Sequence, residues 1–268
     1  MAYAVPRITL GRTGLIVTRF GIGGAYCKTA DGYRSAMDCG INYIDTARSY
    51  RDGEDEKVIG QAIRGRRDEL VLATKTMKRD AAGARSELET SLKLLGVDCI
   101  DIYQLHHLNT QAEREQALGP GGAIEAVQKA REEGLVRFIG VTGHDWVQMQ
   151  AAVATGLFDT VLCWYNCAMR EPENTVLPEA LSRNMGVIIM NASRNDKLLG
   201  GSDAIPAEHF YRYVLSHKAV HVTIRGLRKP EFFCEIASAL SERVMITEQE
   251  KTEVEAYGAK MRESGKLD

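Results

Sequence analysis

No apolar run in these 268 residues approaches the length of a membrane span, so the expectation is a chain that does not cross a bilayer. Neither sign of charge dominates. Lys and Arg number 34 against 36 Asp and Glu, a formal net charge of -2. That balance gives no electrostatic case for nucleic acid or an acidic membrane surface as partner. The start of the chain lacks the basic-then-apolar layout of a secretory leader, which makes the cytoplasm the expected location. The six cysteines (Cys27, Cys39, Cys99, Cys163, Cys167 and Cys234) show neither metal-ribbon nor disulfide-framework spacing. Cys163 and Cys167 are the one close pair, and packed thiols in a reducing compartment are the expected state. No shift of composition marks a linker, so a single domain spanning 1–268 is expected. With 44% hydrophobic and 26% charged residues, it has enough apolar material for a full core.

One pattern repeats along the chain. A helical stretch ends in glycine, and a β-branched, apolar strand begins almost at once. Gly40 precedes INYID, Gly65 precedes ELVLATK, Gly96 precedes CIDIYQLH, Gly134 precedes VRFIGVT, Gly156 precedes TVLCWYN and Gly186 precedes VIIMN. Glycine relieves the left-handed backbone at a helix end, so each site reads as a helix-to-strand junction. The opening ITLGRTGLIVTRF reads as a hairpin turning at Gly11 to Gly14, followed by a first strand at Arg19 to Gly23. HVTIRGL closes a set of eight strands. Gly21, Gly23 and Gly24 do not have the G-x-G-x-x-G spacing of an open dinucleotide-binding sheet. Eight βα units in this length predict an α/β fold, a (β/α)8 TIM barrel with an N-terminal β-hairpin. A C-terminal helix from Thr247 to Lys260, with Thr247 and Glu250 in capping-box register, completes it.

In such a barrel the chemistry sits at the carboxyl ends of the strands. Those ends carry Asp45, Lys75 and His106 on three successive strands. Period-two alternation puts Tyr43 with Asp45, Val71 and Ala73 with Lys75, and Ile102 and Gln104 with His106 on inward faces. Tyr50 follows in the loop above, and Glu54, Asp55 and Glu56 open a helix where negative charge opposes the helix dipole. A free phenol has a pKa of about 10, so moving its proton near neutral pH requires favouring the anion by about 4 kcal/mol. A neighbouring ammonium supplies that. Lys75 is assigned this role, with Asp45 keeping it charged and aimed. His106 is assigned to orient a substrate oxygen between itself and Tyr50. This is equipment for interconverting a carbonyl and an alcohol. Protein side chains carry no hydride, so a nicotinamide is required. A metal-dependent hydrolase using His106, His107, His144 and Asp45 is the rival chemistry. Adjacent histidines on a strand face opposite ways, which makes His106 and His107 poor co-ligands.

These motifs resemble the aldo-keto reductase superfamily over nearly the whole chain. LGRTGLIVTRFGIGG resembles its hairpin and first strand, and IDTARSYRDGEDEKVIG its most specific motif, with Asp45 and Tyr50 in place. LATK ends in Lys75, and DIYQLHH places His106 at the catalytic histidine, with His107 where tryptophan is frequent. The resemblance implies an NADP(H) or NAD(H) cofactor, NADP(H) being favoured by the basic cluster at Arg225 to Lys229, and an aldehyde or ketone as the small-molecule substrate. Thr142, Gly143 and His144 stand where Ser-Asn often holds the nicotinamide amide, and Asn166 is counted with them. Leu162 replaces a common glutamine, Met190 and Asn191 a stacking aromatic, and Ile236 an adenine-binding asparagine. Ser193, Arg194 and Lys197 are expected along the pyrophosphate. Arg225, Gly226, Arg228 and Lys229 are expected at the 2′-phosphate, beside a helix start. Tyr26, His107 and Trp146 are expected to line the substrate pocket, walled by the connection from His107 to Gly122. The altered amide contacts motivate a second reading, a catalytically weak cofactor-sensing or regulatory subunit on the same fold.

Overall fold

A computed structural model describes residues 3–200, 205–265 and 267. Its strands are β1 (Arg7–Thr9), β2 (Ile16–Thr18), β3 (Phe20–Gly23), β4 (Tyr43–Asp45) and β5 (Val71–Thr76). There follow β6 (Ile100–Leu105), β7 (Val136–Gly143), β8 (Thr160–Trp164), β9 (Gly186–Met190) and β10 (Val222–Gly226). The helices are α1 (Ala30–Asp38), α2 (Glu54–Ile63), α3 (Ala81–Leu95), α4 (Gln111–Leu118) and α5 (Ala123–Glu132). They continue with α6 (Trp146–Ala154), α7 (Val176–Ser182), α8 (Ala207–Leu215), α9 (Pro230–Glu242) and α10 (Glu248–Glu263). Strands β3 to β10 form a closed parallel barrel in sequence order, with β10 pairing β3. Strands β1 and β2 form an antiparallel hairpin. This is the TIM barrel with N-terminal hairpin and C-terminal helix that the repeat predicts.

Alternation along the strands divides the core in two. Tyr43, Val71, Ala73, Ile102, Leu162, Ile188, Val222 and Ile224 fill the barrel, and the hairpin adds Leu10, Leu15 and Val17. The opposite faces, including Ile44, Leu72, Tyr103 and Leu105, pack against the helices. Gly40, Gly65, Gly96, Gly134 and Gly156 all have positive φ, as helix-to-strand junctions require. Gly186 does not. There the left-handed residue is Asn184, at φ 50, and Gly186 is small because Leu10 Cγ would lie 2.8 Å from an added Cβ.

The connection from His107 to Gly122 holds α4, which begins at a capping box between Thr110 and Glu113. One expectation needs correction: the cysteines are not all free. Cys39, the C-cap of α1, is disulfide-bonded to Cys234 in α9, with Cα atoms 5.9 Å apart. A separation of 195 residues hides the pair in the sequence, yet the two helices follow strands that are neighbours where the barrel closes. Cys163 and Cys167 are buried free thiols, both pushed up to about 12 by burial. Asp55 and Glu56 lie in the first turn of α2, as expected, and are fully buried there. Among the described residues no helix is long and apolar enough to cross a membrane.

Candidate active site

The three strand-borne groups meet as parity requires. Lys75 Nζ donates to Asp45 Oδ1, to the Thr46 carbonyl at 2.6 Å and to Tyr50 Oη at 3.5 Å. Its N–H directions are thereby spent. Asp45 and Lys75 are each 1% exposed. Gln104, on the inward face of β6, donates from Nε2 to the other Asp45 oxygen at 2.7 Å. The carboxylate is thus held from both sides. Gln104 shares the predicted inward face of His106, but only coordinates show that it is the second clamp on Asp45.

Tyr50 is positioned by a loop under strain. Arg51 and Asp52 have left-handed φ of 50° and 55°, and Gly53 follows at 90°. The acids at the start of α2 hold this loop. Glu56 accepts from Thr74 Oγ1 at 2.6 Å and from Arg48 at 2.8 Å. Asp55 accepts from Thr46 Oγ1 at 2.6 Å, Tyr33 Oη at 2.9 Å and Arg51 at 2.8 Å. Buried carboxylates are stable only when paired in this way. They rivet the Tyr50 turn to β4 and β5.

The electrostatics differ from the expectation in one respect. Burial pushes Lys75 down, but Asp45 and Tyr50 outweigh it, so the amine is held above its ordinary value and stays charged. The Tyr50 phenol is not lowered. Burial pushes it up, Lys75 pulls the other way, and the charge on Asp45 cancels part of that pull. Tyr50 therefore keeps its proton across neutral pH. Because Lys75 donates to Oη, the phenolic hydrogen is left to point elsewhere.

Beside Tyr50 runs a row of rings. Tyr50 and His106 are edge-to-face with centroids 5.8 Å apart, and His106 and His107 follow at 4.2 Å. His107 and His144 are 4.3 Å apart, and His144 stacks on Trp164 at 4.3 Å. His107 does not face away from His106 as strand alternation predicts. It lies past the end of β6 with φ 57, and that left-handed step swings it onto the same rim. Burial comes first among the causes that push all three imidazoles down, His144 to about 4, so they are neutral near pH 7. His106 Nδ1 and Thr142 Oγ1 are buried with no hydrogen-bond partner among the described residues. No group of three His, Cys, Asp or Glu side chains among the described residues is arranged to hold a metal.

Tyr50, His107, His144 and Trp164 line a cavity of about 230 Å³, together with Tyr26, Asn191, Asn195 and Gly226. Trp146 is not on its wall. Its indole donates to the Trp164 carbonyl at 3.2 Å and its ring packs on the outer core, so it braces the end of β8. Asn166 is also spent elsewhere, donating to Asn191 O and accepting from the Ala168 and Met169 amides, each at 3.0 Å. The Gly143 position abuts Met149 and Asn109, and Asn109 Oδ1 receives the His144 amide at 2.6 Å.

A second hollow of about 40 Å³ shares Tyr26, Asn191, Asn195 and Gly226 with the first. Of its two cations, Arg228 is exposed and Arg225 is not. Arg225 is 9% exposed and forms a two-pronged pair with Asp196 at 2.7 and 3.1 Å, with Tyr211 and Ser193 beside it. The sequence puts Arg225 toward a phosphate; its outward-facing strand position instead buries it against Tyr211 and Phe232. Arg228 lies 4.0 Å over the Tyr26 ring. Lys229 is the exposed N-cap of α9, and Lys197 is exposed on the β9–α8 loop. Arg194, on that loop, lies 4.7 Å over the Trp164 ring.

The profile of the aldo/keto reductase family matches residues 25–203. Aldo-keto reductase YhdN of Bacillus subtilis (strain 168) is 32% identical over 215 residues, 72% of this chain and 63% of that protein. The NADH-specific methylglyoxal reductase of Escherichia coli (strain K12) is 26% identical over 69% of this chain and 66% of its own. The chain thus spans a little under two thirds of the length of both. Among solved structures, an aldo/keto reductase from Klebsiella pneumoniae in complex with NADP and acetate superposes with a TM-score of 0.80. It is 26% identical, over 94% of this chain and 95% of that one. A closed barrel with a lysine, a carboxylate and a phenol at its mouth, and a family profile covering most of the sequence, lead to one statement: the chain belongs to the aldo/keto reductase family.

Proposed function

We propose that this protein reduces an aldehyde or ketone to an alcohol with a nicotinamide cofactor, Tyr50 donating the proton. The observation that carries the reading is the chain of contacts from Asp45 through Lys75 to Tyr50, with His106 alongside. A nicotinamide suits the mouth. The partnerless Thr142 hydroxyl and His106 Nδ1 are buried at the strand ends behind it, and Gly226 leaves room between the two hollows, since a Cβ there would strike Tyr26 at 2.4 Å. Thr142 and His144 would hold the carboxamide end, and Ser193, Arg228 and Lys229 the phosphates. When bound, the cofactor supplies the hydride. The protein supplies the rest. A substrate oxygen between Tyr50 and neutral His106 accepts hydrogen bonds from both as negative charge grows on it. Tyr50 then releases its proton to that oxygen, and the phenolate left behind is stabilised by Lys75, already 3.5 Å away. The cation costs nothing to assemble at that moment because Asp45 has fixed it in advance.

NADP(H) is assigned over NAD(H), supported by the Klebsiella relative in complex with NADP, although the Escherichia coli relative is described as NADH-specific. The test is a titration of NADPH and NADH by fluorescence, followed by cofactor oxidation with a panel of aldehydes and ketones. Tyr50→Phe is expected to cut turnover by about 10²–10⁴-fold while leaving nucleotide affinity intact. Unaltered turnover in that variant would remove Tyr50 from its role. Tight nucleotide binding with no multiple turnover on any carbonyl would favour the regulatory reading instead.

A further inference from the structure

Asp45 has two oxygens with two donors, and the second donor belongs to a residue that touches neither Tyr50 nor the cavity. Gln104 is wholly buried on the inward face of β6, in register with Lys75 on one side and Gly140 on the other. Its Nε2 donates to Asp45 Oδ2 at 2.7 Å while Lys75 takes Oδ1. Gly140 makes the room, since a Cβ there would lie 2.7 Å from Gln104 Cγ. Gln104 Oε1 is buried with no hydrogen-bond partner among the described residues, so the amide is turned by Asp45 alone.

What that N–H does follows from the demands on Lys75. Its ammonium serves Asp45, the Thr46 carbonyl at 2.6 Å and Tyr50 Oη at 3.5 Å, and the phenol has the longest of the three contacts. In a low-dielectric interior a carboxylate with one partner draws heavily on that partner's charge, and in the limit takes its proton. The proton would pass from Nζ to Oδ1, leaving a neutral amine and a neutral acid, and a phenolate formed at Tyr50 would then face no cation. A donor on Oδ2 keeps the negative charge on Asp45 and the positive charge on Lys75. The other groups near the pair act differently. Asp55 adds negative charge near Tyr50 and is itself engaged by Thr46, Tyr33 and Arg51. His106 is neutral, and Tyr43, inward on β4 like Asp45, keeps its proton.

We propose that Gln104 is a positioning residue for the proton transfer: its hydrogen bond to Asp45 keeps Lys75 cationic and available to Tyr50. This rests on the carbonyl-reductase reading and adds a residue to it. Gln104→Met keeps the length of the side chain but cannot donate. Gln104→Glu can, because burial beside the Asp45 charge keeps an introduced carboxyl protonated. With NADPH and a simple aldehyde at pH 7, Gln104→Met is expected to lower kcat by about tenfold, the scale of one hydrogen bond to a charged group. KM for the aldehyde and the Kd of NADPH should stay within about twofold, well below that scale. Gln104→Glu should recover most of the lost turnover. The second readout is the Asp45 carboxyl resonance in protein carrying 13C-labelled aspartate. At pH 7 it should stand at the ionised position in the wild type and move toward the protonated one in Gln104→Met. Wild-type kcat in Gln104→Met overturns the proposal. So does equal slowing in the Met and Glu variants, which is the mark of lost packing, and so does an Asp45 resonance that does not move. If Gln104→Met does not fold, the same comparison is made with Gln104→Asn, whose amide stops one carbon short of Asp45. Should the wild-type protein turn over no carbonyl at all, the reductase reading fails separately. The Asp45 resonance then decides alone whether Gln104 holds the charge pair: displacement supports it, and an unmoved signal overturns it.

Discussion

The two sides of the barrel mouth are built differently. On the β4–β6 side the ionisable groups sit on or just beyond strand ends, and Asp45 and Lys75 are paired out of reach of water. On the β9–β10 side Arg194, Arg225 and Arg228 are held by what they pack against: Trp164, Asp196 and Tyr26. Strand ends fix direction through pairing register. Loops fix it through individual contacts, each of which a substitution can release. The first side is therefore expected to fail in stability and turnover together, and the second in affinity alone.

The contrast can be broken from the rim first. Lys75→Met leaves Asp45 charged, buried and without its main partner, and should destabilise the fold by about 3–5 kcal/mol along with loss of turnover. A stable, inactive variant would show that the pair serves chemistry only. Gln104→Leu deprives one Asp45 oxygen of its donor at an otherwise intact pair. Chemical denaturation should register a loss of about 1–3 kcal/mol. An unchanged midpoint would mean that Lys75 suffices.

Acid should act on the row of rings in a definite direction. His144 is neutral in the fold down to about 4, whereas in the unfolded chain it takes up a proton near 6.5. His106 and His107 are pushed the same way. Between those values the unfolded state binds more protons, so stability falls as pH drops below about 6.5. A thermal midpoint flat from pH 7 to 5 would contradict the burial of these rings. The smallest effect belongs to the loop side. Arg228→Ala should weaken NADPH, and not NADH, by up to about tenfold. An equal change for both nucleotides would place Arg228 away from the 2′-phosphate.

The same division governs what could be read in advance. Asp45, Lys75 and His106 were legible because side-chain alternation is a rigid rule and three successive strands obey it. Gln104 lay on the right face, but nothing in one sequence says that its amide turns toward Asp45. Asp55 and Glu56 were legible as a helix start but not as buried, since an acidic first turn looks the same either way; only their reach to Thr46 and Thr74 separates the cases. His107 defeated alternation by standing two residues beyond the strand, on a left-handed step. Arg225 looked like an open cation because its partner, Asp196, sits on the β9–α8 loop, 29 residues before this strand position. Trp146 seemed to line the pocket but supports it from behind, a distinction of packing rather than of residue type.

The bond between Cys39 and Cys234 bears on the whole circle of strands. A parallel barrel is a ribbon whose last edge must find its first, and here that seam runs between β10 and β3. The helices leaving those two strands are the pair joined through sulfur. Hydrogen bonds close the ring on the inside, and the cystine clasps it on the outside. With the clasp fastened, the terminal βα units cannot drift apart singly. Once a reductant opens it, β3 and β10 become the natural place for the hoop to part.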